Sequence, residues 1–195
     1  MIGSLPTSLS VGGKEYAIRS DYRDVMRIFE AMSDEELDDK EKFYVMLRVL
    51  YVDFDSIPPK DYKEAYEQAS RFMESHDRSD DKKNPQLINW QKDEHMIFPA
   101  INAVAGCEVR AVEYMHWWTF LGYFENIDNE CLWSFVLSIR QKRAKGKKLE
   151  KHEREFFYQN RDLCSVAWAK KQRTEKDVAN DIFEMLLEEG GSKNG

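Results

Sequence analysis

Polar and apolar residues alternate in two short runs near the start of the chain, over residues 7–18. Gly12 and Gly13 separate the runs and supply the positive φ values that a tight turn needs. The pattern therefore predicts a β-hairpin. Because an isolated hairpin is only marginally stable in water, we expect the helices of this chain or a neighbouring subunit to cover it. On this argument Tyr16 and Ile18 are candidate partner-binding residues.

Beyond the hairpin, apolar residues recur at the three- and four-residue spacing of one face of a helix. Ser20 or Asp21 is a suitable N-cap for the first of these helices. The predicted helices lie at residues 22–29, 43–51, 62–73, 90–105, 109–124 and 132–139, and a charged helix is predicted at about 150–160. We predict a mostly α protein, a compact helical bundle with a small N-terminal β-hairpin and an amphipathic C-terminal helix.

Local residue types predict where several helices begin and end. Pro58-Pro59 precedes a helix start, and Pro99 marks a kink or a start within the fourth helix. Gly106 ends that helix, and Asp128 or Asn129 caps a later one. The polar residues 75–85 predict a loop and not a domain boundary.

Residues 114–124 are the most aromatic part of the chain and hold two adjacent tryptophans and a histidine, with no charge between Glu113 and Glu125. Drawn as a helix, this segment is apolar nearly all round, which is typical of a buried central helix. We therefore predict a structural role for it and for the tryptophan of the next helix. The predicted core residues are His116, Trp117, Trp118, Phe120, Leu121, Phe124 and Trp133.

The end of the chain predicts an amphipathic helix over residues 175–189. Docked on the body, this helix is ordinary core; released, it fits a groove on a partner or on a neighbouring subunit. We expect a helical body at 1–165, and a C-terminal arm and helix with a flexible tail at 166–195. The apolar side of the helix supplies the remaining candidate partner-binding residues, Val178, Ile182, Met185 and Leu186.

Composition limits the classes of partner and compartment. The formal net charge of the 195 residues is −7 and the pI is about 5.3, which argues against nucleic acid as a partner. Three cysteines without a Cys-x-x-Cys motif argue against disulfides and structural zinc and favour a reducing cytoplasm. We expect no signal peptide, and no apolar run reaches the roughly 20 residues of a membrane span.

Two segments carry residue types found in catalytic or metal sites. Glu113 and His116 have the i, i+3 spacing of a carboxylate-bridged di-iron site, but that site needs a second such pair and two more glutamates. The acid and the histidine of Asp93-Glu94-His95 are helix neighbours, which point apart. We therefore predict no catalytic, metal-binding or cofactor-binding residue, and no enzyme.

The basic run from Arg140 to Lys148 has two interpretations. The simpler one is a helix C-terminus with favourable cations, followed by a solvated turn. The other is a contact surface for an acidic protein or a nucleic acid, although the run lacks the aromatic residues of a single-strand binding surface.

Two phrases of the sequence resemble a known family. The first is Leu5-Pro6 followed by Val11-Gly12-Gly13-Lys14-Glu15-Tyr16-Ala17-Ile18-Arg19-Ser20-Asp21-Tyr22-Arg23, and the second is Met115-His116-Trp117-Trp118-x-Phe120 with the later Ile139-Arg140. In this order they resemble the tail assembly chaperones of tailed phages and prophages of Gram-positive bacteria. The resemblance covers roughly residues 5–150.

The resemblance implies a role in phage tail morphogenesis. Such a chaperone binds and shields the tape measure protein in the cytoplasm of the host bacterium, helps recruit subunits of the tail tube protein, self-associates, and is scarce in the mature virion. It implies no cofactor. The alternative is a structural virion protein at the tail or head–tail junction, which mass spectrometry of purified virions would detect in quantity. A metal-dependent enzyme is the distant alternative.

Overall fold

The prediction of a mostly α protein with an N-terminal hairpin is confirmed in the computed structural model, which describes residues 3–74 and 87–165. The hairpin consists of strands β1 (Ser8–Val11) and β2 (Lys14–Ala17). The helices of the described residues are α1 (Tyr22–Ser33), α2 (Asp39–Leu50), α3 (Tyr62–Glu74), α4 (Trp90–Ala105), α5 (Trp117–Glu125), α6 (Leu132–Ala144), α7 (Lys151–Gln159) and α8 (Arg161–Cys164). None of these helices is both long and apolar enough to cross a membrane.

Three of the predictions fall outside the described residues. They are the loop at 75–85, the amphipathic helix at 175–189 and the arm that begins at residue 166. The division between a body at 1–165 and this arm stays a prediction.

The chain forms two compact units, each built from separate stretches of sequence. Of the described residues, the first unit contains 3–74 and Met115–Trp118, and the second contains 87–114 and 119–165. The division falls inside α5, whose two tryptophans belong to the first unit.

The hairpin begins the first unit and has the predicted turn. β1 and β2 are antiparallel, with Leu9 opposite Tyr16. Gly12 and Gly13 have φ values of 57° and 75°, which an L side chain rarely adopts. The N–H of Gly12 donates to the carboxylate of Glu64 on α3 at 3.0 Å, so this bond holds the turn against the helix.

Arg19, directly after the hairpin, fixes the end of α2. Its guanidinium donates to the carbonyl oxygens of Val49 and Tyr51 at 2.9 Å each, and to that of Arg48 at 3.2 Å. The last carbonyls of a helix have no partner within the helix and carry partial negative charge. Arg19 therefore satisfies them with a cation supplied by a distant part of the chain.

The core of the first unit lies between α1, α2 and α3. Tyr51 is buried there and donates its hydroxyl to the carbonyl of Ala65 at 2.8 Å. Burial, and to a smaller extent the nearby Glu64 carboxylate, raise the pKa of the Tyr51 hydroxyl well above its usual value. The largest apolar contributors to this core are Ile28, Phe43, Met46, Leu47, Leu50, Ile57 and Phe72.

The second unit is organised around a buried arginine. The side chains of Arg140 and Asp93 are each 1% exposed, and the guanidinium donates to both carboxylate oxygens at 2.6 and 2.7 Å. It also donates to the carbonyl of Leu87 at 2.8 Å and, through two further N–H groups, to that of Leu163. All five guanidinium N–H groups are thus used, and they join α4, α6 and α8.

The run Arg140–Lys148 begins as the C-terminus of α6, as the simpler interpretation had it, but its first cation, Arg140, is buried. Arg140 lies on the apolar face of α6, because it follows Trp133 by seven positions and Val136 by four. Its guanidinium lies 5.7 Å from the centre of the Trp133 ring. The solvated part of the run therefore begins beyond Arg140.

The predicted helix over residues 109–124 is wrong in its first half. Val109–Ala111 is a short 3-10 turn, and the α-helix begins only at Trp117. The N–H of Val112 closes the 3-10 turn on the carbonyl of Val109. The helix does not reach back beyond Trp117 because the backbone groups of Met115 and Trp117 bond to residues 20–22.

The start of α6 also differs from the prediction, since its N-cap is Cys131 and neither Asp128 nor Asn129. The Cys131 sulfur accepts a hydrogen bond from the N–H of Ser134 at 3.4 Å. The Asp128 carboxylate is already used, because it accepts from the N–H of Glu130 at 2.8 Å. By contrast, Asp21 caps α1 and Gly106 ends α4 as predicted.

We predict that Arg140→Met lowers the free energy of unfolding of the second unit by about 3–5 kcal/mol, because it leaves the Asp93 charge buried without a partner. Urea denaturation measures this change. Arg154→Met, at an exposed position of α7, is the matched control and should change stability by about 0.5 kcal/mol or less.

The double variant Asp93→Leu/Arg140→Met should regain part of the loss, since a buried ion pair is replaced by apolar groups at less cost than it is broken. An Arg140→Met variant as stable as the wild type would contradict the role assigned to this pair.

Candidate functional site

The two phrases that carry the family resemblance meet in the first unit. The N–H of Trp117 donates to the carbonyl of Ser20 at 2.7 Å, and the N–H of Tyr22 donates to the carbonyl of Met115 at 3.0 Å. The N–H of Met115 donates to the carboxylate of Asp21 at 3.1 Å, across 94 positions of sequence. We call this contact between residues 20–22 and 115–117 the motif junction.

Asp21 does three things at the motif junction. Its carboxylate caps α1 by accepting from the N–H of Arg23 at 2.9 Å, it accepts from Met115, and it pairs with the Arg23 guanidinium at 3.0 Å. Asp21 also pairs with His116 as an isolated antiparallel bridge. One residue thus starts α1 and fixes the segment that leads into α5.

His116 is 2% exposed and uses both ring nitrogens on this chain's own backbone. Its Nδ1 accepts from the N–H of Trp118 at 3.0 Å, so Nε2 is the nitrogen that donates to the carbonyl of Pro6 at 2.9 Å. The ring lies edge-on to those of Phe72 and Trp118, with centroids 5.9 Å apart in each case. Neither nitrogen is free to bind a metal in this arrangement.

The two adjacent tryptophans close the end of α3. The indole N–H of Trp117 donates to the carbonyl of Met73 at 2.8 Å, and that of Trp118 to the carbonyl of Phe72 at 2.9 Å. Both acceptors lie in the last turn of α3, where carbonyl oxygens lack helical partners. The tryptophans therefore act as C-terminal caps as well as apolar packing.

The structure distributes the predicted core residues unevenly. His116, Trp117, Phe120 and Trp133 are at most 2% exposed, whereas Trp118, Leu121 and Phe124 are half-buried. Within the second unit, Phe124 packs against Trp90 with ring centroids 5.1 Å apart. The α5 helix is thus buried on one side only, and not all round as its composition suggested.

The spacing of Glu113 and His116 does not place their side chains on one helical face. Both residues precede α5: Glu113 lies in an exposed bend, and His116 lies in the motif junction. Among the residues that the structure describes, no group of three or more His, Cys, Asp or Glu side chains is arranged to hold a metal ion.

The candidate partner-binding residues of the hairpin are covered within the first unit. Tyr16 and Ile18 are 7% and 6% exposed. The ring of Tyr16 meets that of Tyr51 edge-on with centroids 6.4 Å apart, and Ile18 pairs with Tyr51 as an isolated bridge. A partner could reach these side chains only if the hairpin separated from the helices. Four further candidates lie outside the described residues, namely Val178, Ile182, Met185 and Leu186.

Sequence reasoning missed the three charged residues that organise the two units, Arg19, Asp93 and Arg140. A signal was present for two of them, because Asp93 and Arg140 stand at positions of α4 and α6 where the helical spacing calls for an apolar residue. A charge at such a position is buried only when it is paired. For Arg19 the sequence gives no comparable signal, since its carbonyl partners are defined only by the fold.

We predict that His116→Ala lowers the free energy of unfolding by about 2–4 kcal/mol, because it leaves a buried carbonyl and a buried N–H without partners and opens a cavity. Chemical denaturation followed by tryptophan fluorescence measures the change. His95→Ala, at an exposed position of α4, is the control and should be nearly neutral. Equal stabilities of the two variants would show that the motif junction contributes little.

One known protein family matches a stretch of this chain that includes both phrases. The family model described as "Bacteriophage Gp15 protein" matches residues 1–165, which includes every described residue. No curated protein and no solved structure matches this chain. The match extends over most of the 195 residues, so the expected relation to a bacteriophage family is confirmed. The chain belongs to the bacteriophage Gp15 protein family.

Proposed function

We propose that this chain is a phage tail assembly chaperone that binds and shields the tape measure protein and helps recruit tail tube subunits. Membership in the Gp15 family indicates a structural or morphogenesis protein of a phage. The more specific role rests on the resemblance of residues 5–23 and 115–120 to tail assembly chaperones. On this proposal the protein works in the host cytoplasm, is not an enzyme, and is scarce in the mature virion.

The observation that carries the proposal is that the two resembling phrases form one contact. They lie far apart in sequence, and the bonds from Met115 to Asp21 and from Trp117 to Ser20 join them. Two phrases that depend on each other for their backbone hydrogen bonds are more specific together than either is alone. The resemblance thus concerns residues that lie together in the three-dimensional structure of this chain.

The side chains of the motif junction and of the adjacent Trp118 form their hydrogen bonds within this chain. His116, Trp117 and Trp118 all bond to carbonyls or N–H groups of this chain. Partner recognition then falls to other surfaces, and the apolar side of residues 175–189 is the best candidate by sequence. A tape measure protein rich in amphipathic helices would be shielded there by helix-in-groove packing.

A reversible shield needs only modest affinity at each site. Many copies bound along one long partner strengthen the complex through effective concentration, and each copy can still leave as the tail tube grows. Self-association of the chaperone would add to this effect. The apolar residues of the hairpin contribute to partner binding only if Tyr16 and Ile18 become uncovered.

We predict that co-expression with the tape measure protein of the same phage increases the soluble fraction of that protein. A variant with serine at four apolar positions of the C-terminal segment should lose most of this effect, because the apolar contact is removed. Those positions are Val178, Ile182, Met185 and Leu186. Quantitative gel analysis of soluble and pelleted fractions measures the outcome.

The matched control carries serine at four polar positions of the same segment and should act like the wild type. Those positions are Glu175, Lys176, Asn180 and Glu184. A tape measure protein that is equally insoluble with and without this chain would contradict the chaperone proposal. If the wild type and both variants increase the soluble fraction of the tape measure protein equally, the C-terminal segment is not the binding surface. The chaperone role of the protein would still stand.

A further inference from the structure

The second unit presents a surface rich in exposed lysine and arginine. Residues 142–154 contain seven lysine and arginine residues and two glutamates, a net charge of +5, in a chain whose formal net charge is −7. Most of the cations are exposed. We call them the basic surface: Arg143, Lys145, Lys147, Lys148, Lys151 and Arg154.

Side-chain packing between α6 and α7 holds the basic surface in place. The rings of Phe135 and Phe156 meet edge-on with centroids 5.0 Å apart, and the Arg143 guanidinium lies 4.2 Å from the centre of the Phe157 ring. Lys142 donates to Glu153 at 2.5 Å. These contacts give the two helices and the turn between them a defined geometry.

The glutamates of this region do not neutralise the exposed cations. Glu153 is buried, which by itself raises its pKa, but the bonds from Lys142 and from the N–H of Glu150 outweigh this and hold the pKa of Glu153 below its usual range. Its charge is thus committed to the capping of α7 and to Lys142. Within the described part of the chain, no ion pair involves Lys145, Lys147, Lys148, Lys151 or Arg154.

Helix electrostatics explain only part of the basic surface, because Arg143 lies in the last turn of α6, where cations are favoured. Lys151 is the first residue of α7 and Arg154 lies in its first turn, where the positive end of the helix dipole disfavours cations. Lys147 and Lys148 follow the end of α6 and precede α7. An external anion near the start of α7 would offset this unfavourable charge.

The same chain carries an exposed acidic stretch between α1 and α2. Residues 34–41 contain six carboxylates and one lysine, a net charge of −5, and all six carboxylate residues are exposed. Asp34, Glu35 and Glu36 follow the C-terminus of α1, where negative charge is disfavoured, and no basic residue lies in the last turn of that helix.

We propose that the basic surface of one copy binds the acidic stretch 34–41 of a second copy. The two surfaces have opposite charges of similar size, and part of each lies at a helix end that disfavours its sign, namely residues 34–36 after α1 and Lys151 and Arg154 at the start of α7. Since they are different surfaces of one chain, the contact is head-to-tail and builds a ring or an open array. The net negative charge of the chain favours this occupant over a nucleic acid.

The family resemblance implies self-association without saying which surfaces meet. The basic surface and the acidic stretch are the two surfaces that meet, and the test of their contact does not depend on the chaperone function. Exposed ion pairs are individually weak and are screened by salt. The association should therefore be strong at low ionic strength and disappear at high ionic strength. Purified chain, without any other phage protein, is sufficient to test it.

The test is sedimentation equilibrium of the full chain at about 50 mM and about 500 mM NaCl, which span a large change in screening length. We expect oligomers at the lower salt and monomers at the higher. Lys147→Glu/Lys148→Glu and Glu35→Lys/Glu36→Lys should each be monomeric at both salts, and mixing these two variants should restore association. Lys60→Glu/Arg71→Glu, which changes the net charge as much as the lysine pair variant, should associate like the wild type.

The chosen substitutions avoid the capping residues Asp38 and Glu41, and circular dichroism melts check that each variant remains folded. A wild type that is monomeric at both salts would overturn the proposal. So would variants of either surface that associate normally, or a mixture that stays monomeric. A monomeric wild type whose basic surface retards a single-stranded oligonucleotide on a gel would assign that surface to nucleic acid instead.

Discussion

The segment that precedes α1 and the segment that precedes α5 are held together by main-chain hydrogen bonds, and much of the first unit follows from this contact. Because the N–H groups of Tyr22 and Trp117 are bonded across the contact, neither segment can continue as a helix through it. Helix α5 must therefore begin at Trp117. From that point the indole N–H groups of Trp117 and Trp118 reach the last turn of α3. The start of α5 therefore determines how the C-terminus of α3 is capped.

The second unit depends on a different kind of constraint, a fully desolvated ion pair. Arg140 and Asp93 gain little net stability from being charged, because desolvation offsets most of their attraction. Their geometry is nevertheless specific, since each guanidinium N–H has a defined acceptor on α4, on α8 or at Leu87, three positions before α4. An apolar pair could fill the same volume without fixing the carbonyls of Leu87 and Leu163.

Local sequence signals were sufficient for most of the fold. Glycines at the turn, Asp21 as a cap and apolar spacing located the hairpin and the bodies of most helices, because each signal acts within one or two turns of chain. The start of α5 could not be predicted this way, since the partners of residues 115–117 are distant in sequence, as Asp21 is from Met115 by 94 positions. Cys131 as a cap was also missed, because a thiol is a weak acceptor and two better candidates stand nearby.

The candidate site was only partly accessible from sequence. The aromatic segment and the N-terminal phrase were both singled out, but their contact was not, and the predicted burial of Trp118, Leu121 and Phe124 was too complete. A helical wheel assumes a helix that continues, and α5 has only nine residues. Partner binding and self-association are proposed at exposed surfaces. Such surfaces lack the apolar periodicity that identifies buried helix faces, so charge is the main sequence feature that marks them.

The central claim is that residues 20–22 and 115–117 form one structural unit that persists in solution. Native-state amide hydrogen exchange by nuclear magnetic resonance tests it most directly. The amides of Tyr22 and Trp117 should exchange only when the first unit unfolds, with the same opening free energy as the amide of Ile28 in the buried face of α1. Exchange at these two amides as rapid as that of exposed Glu35 would contradict the claim.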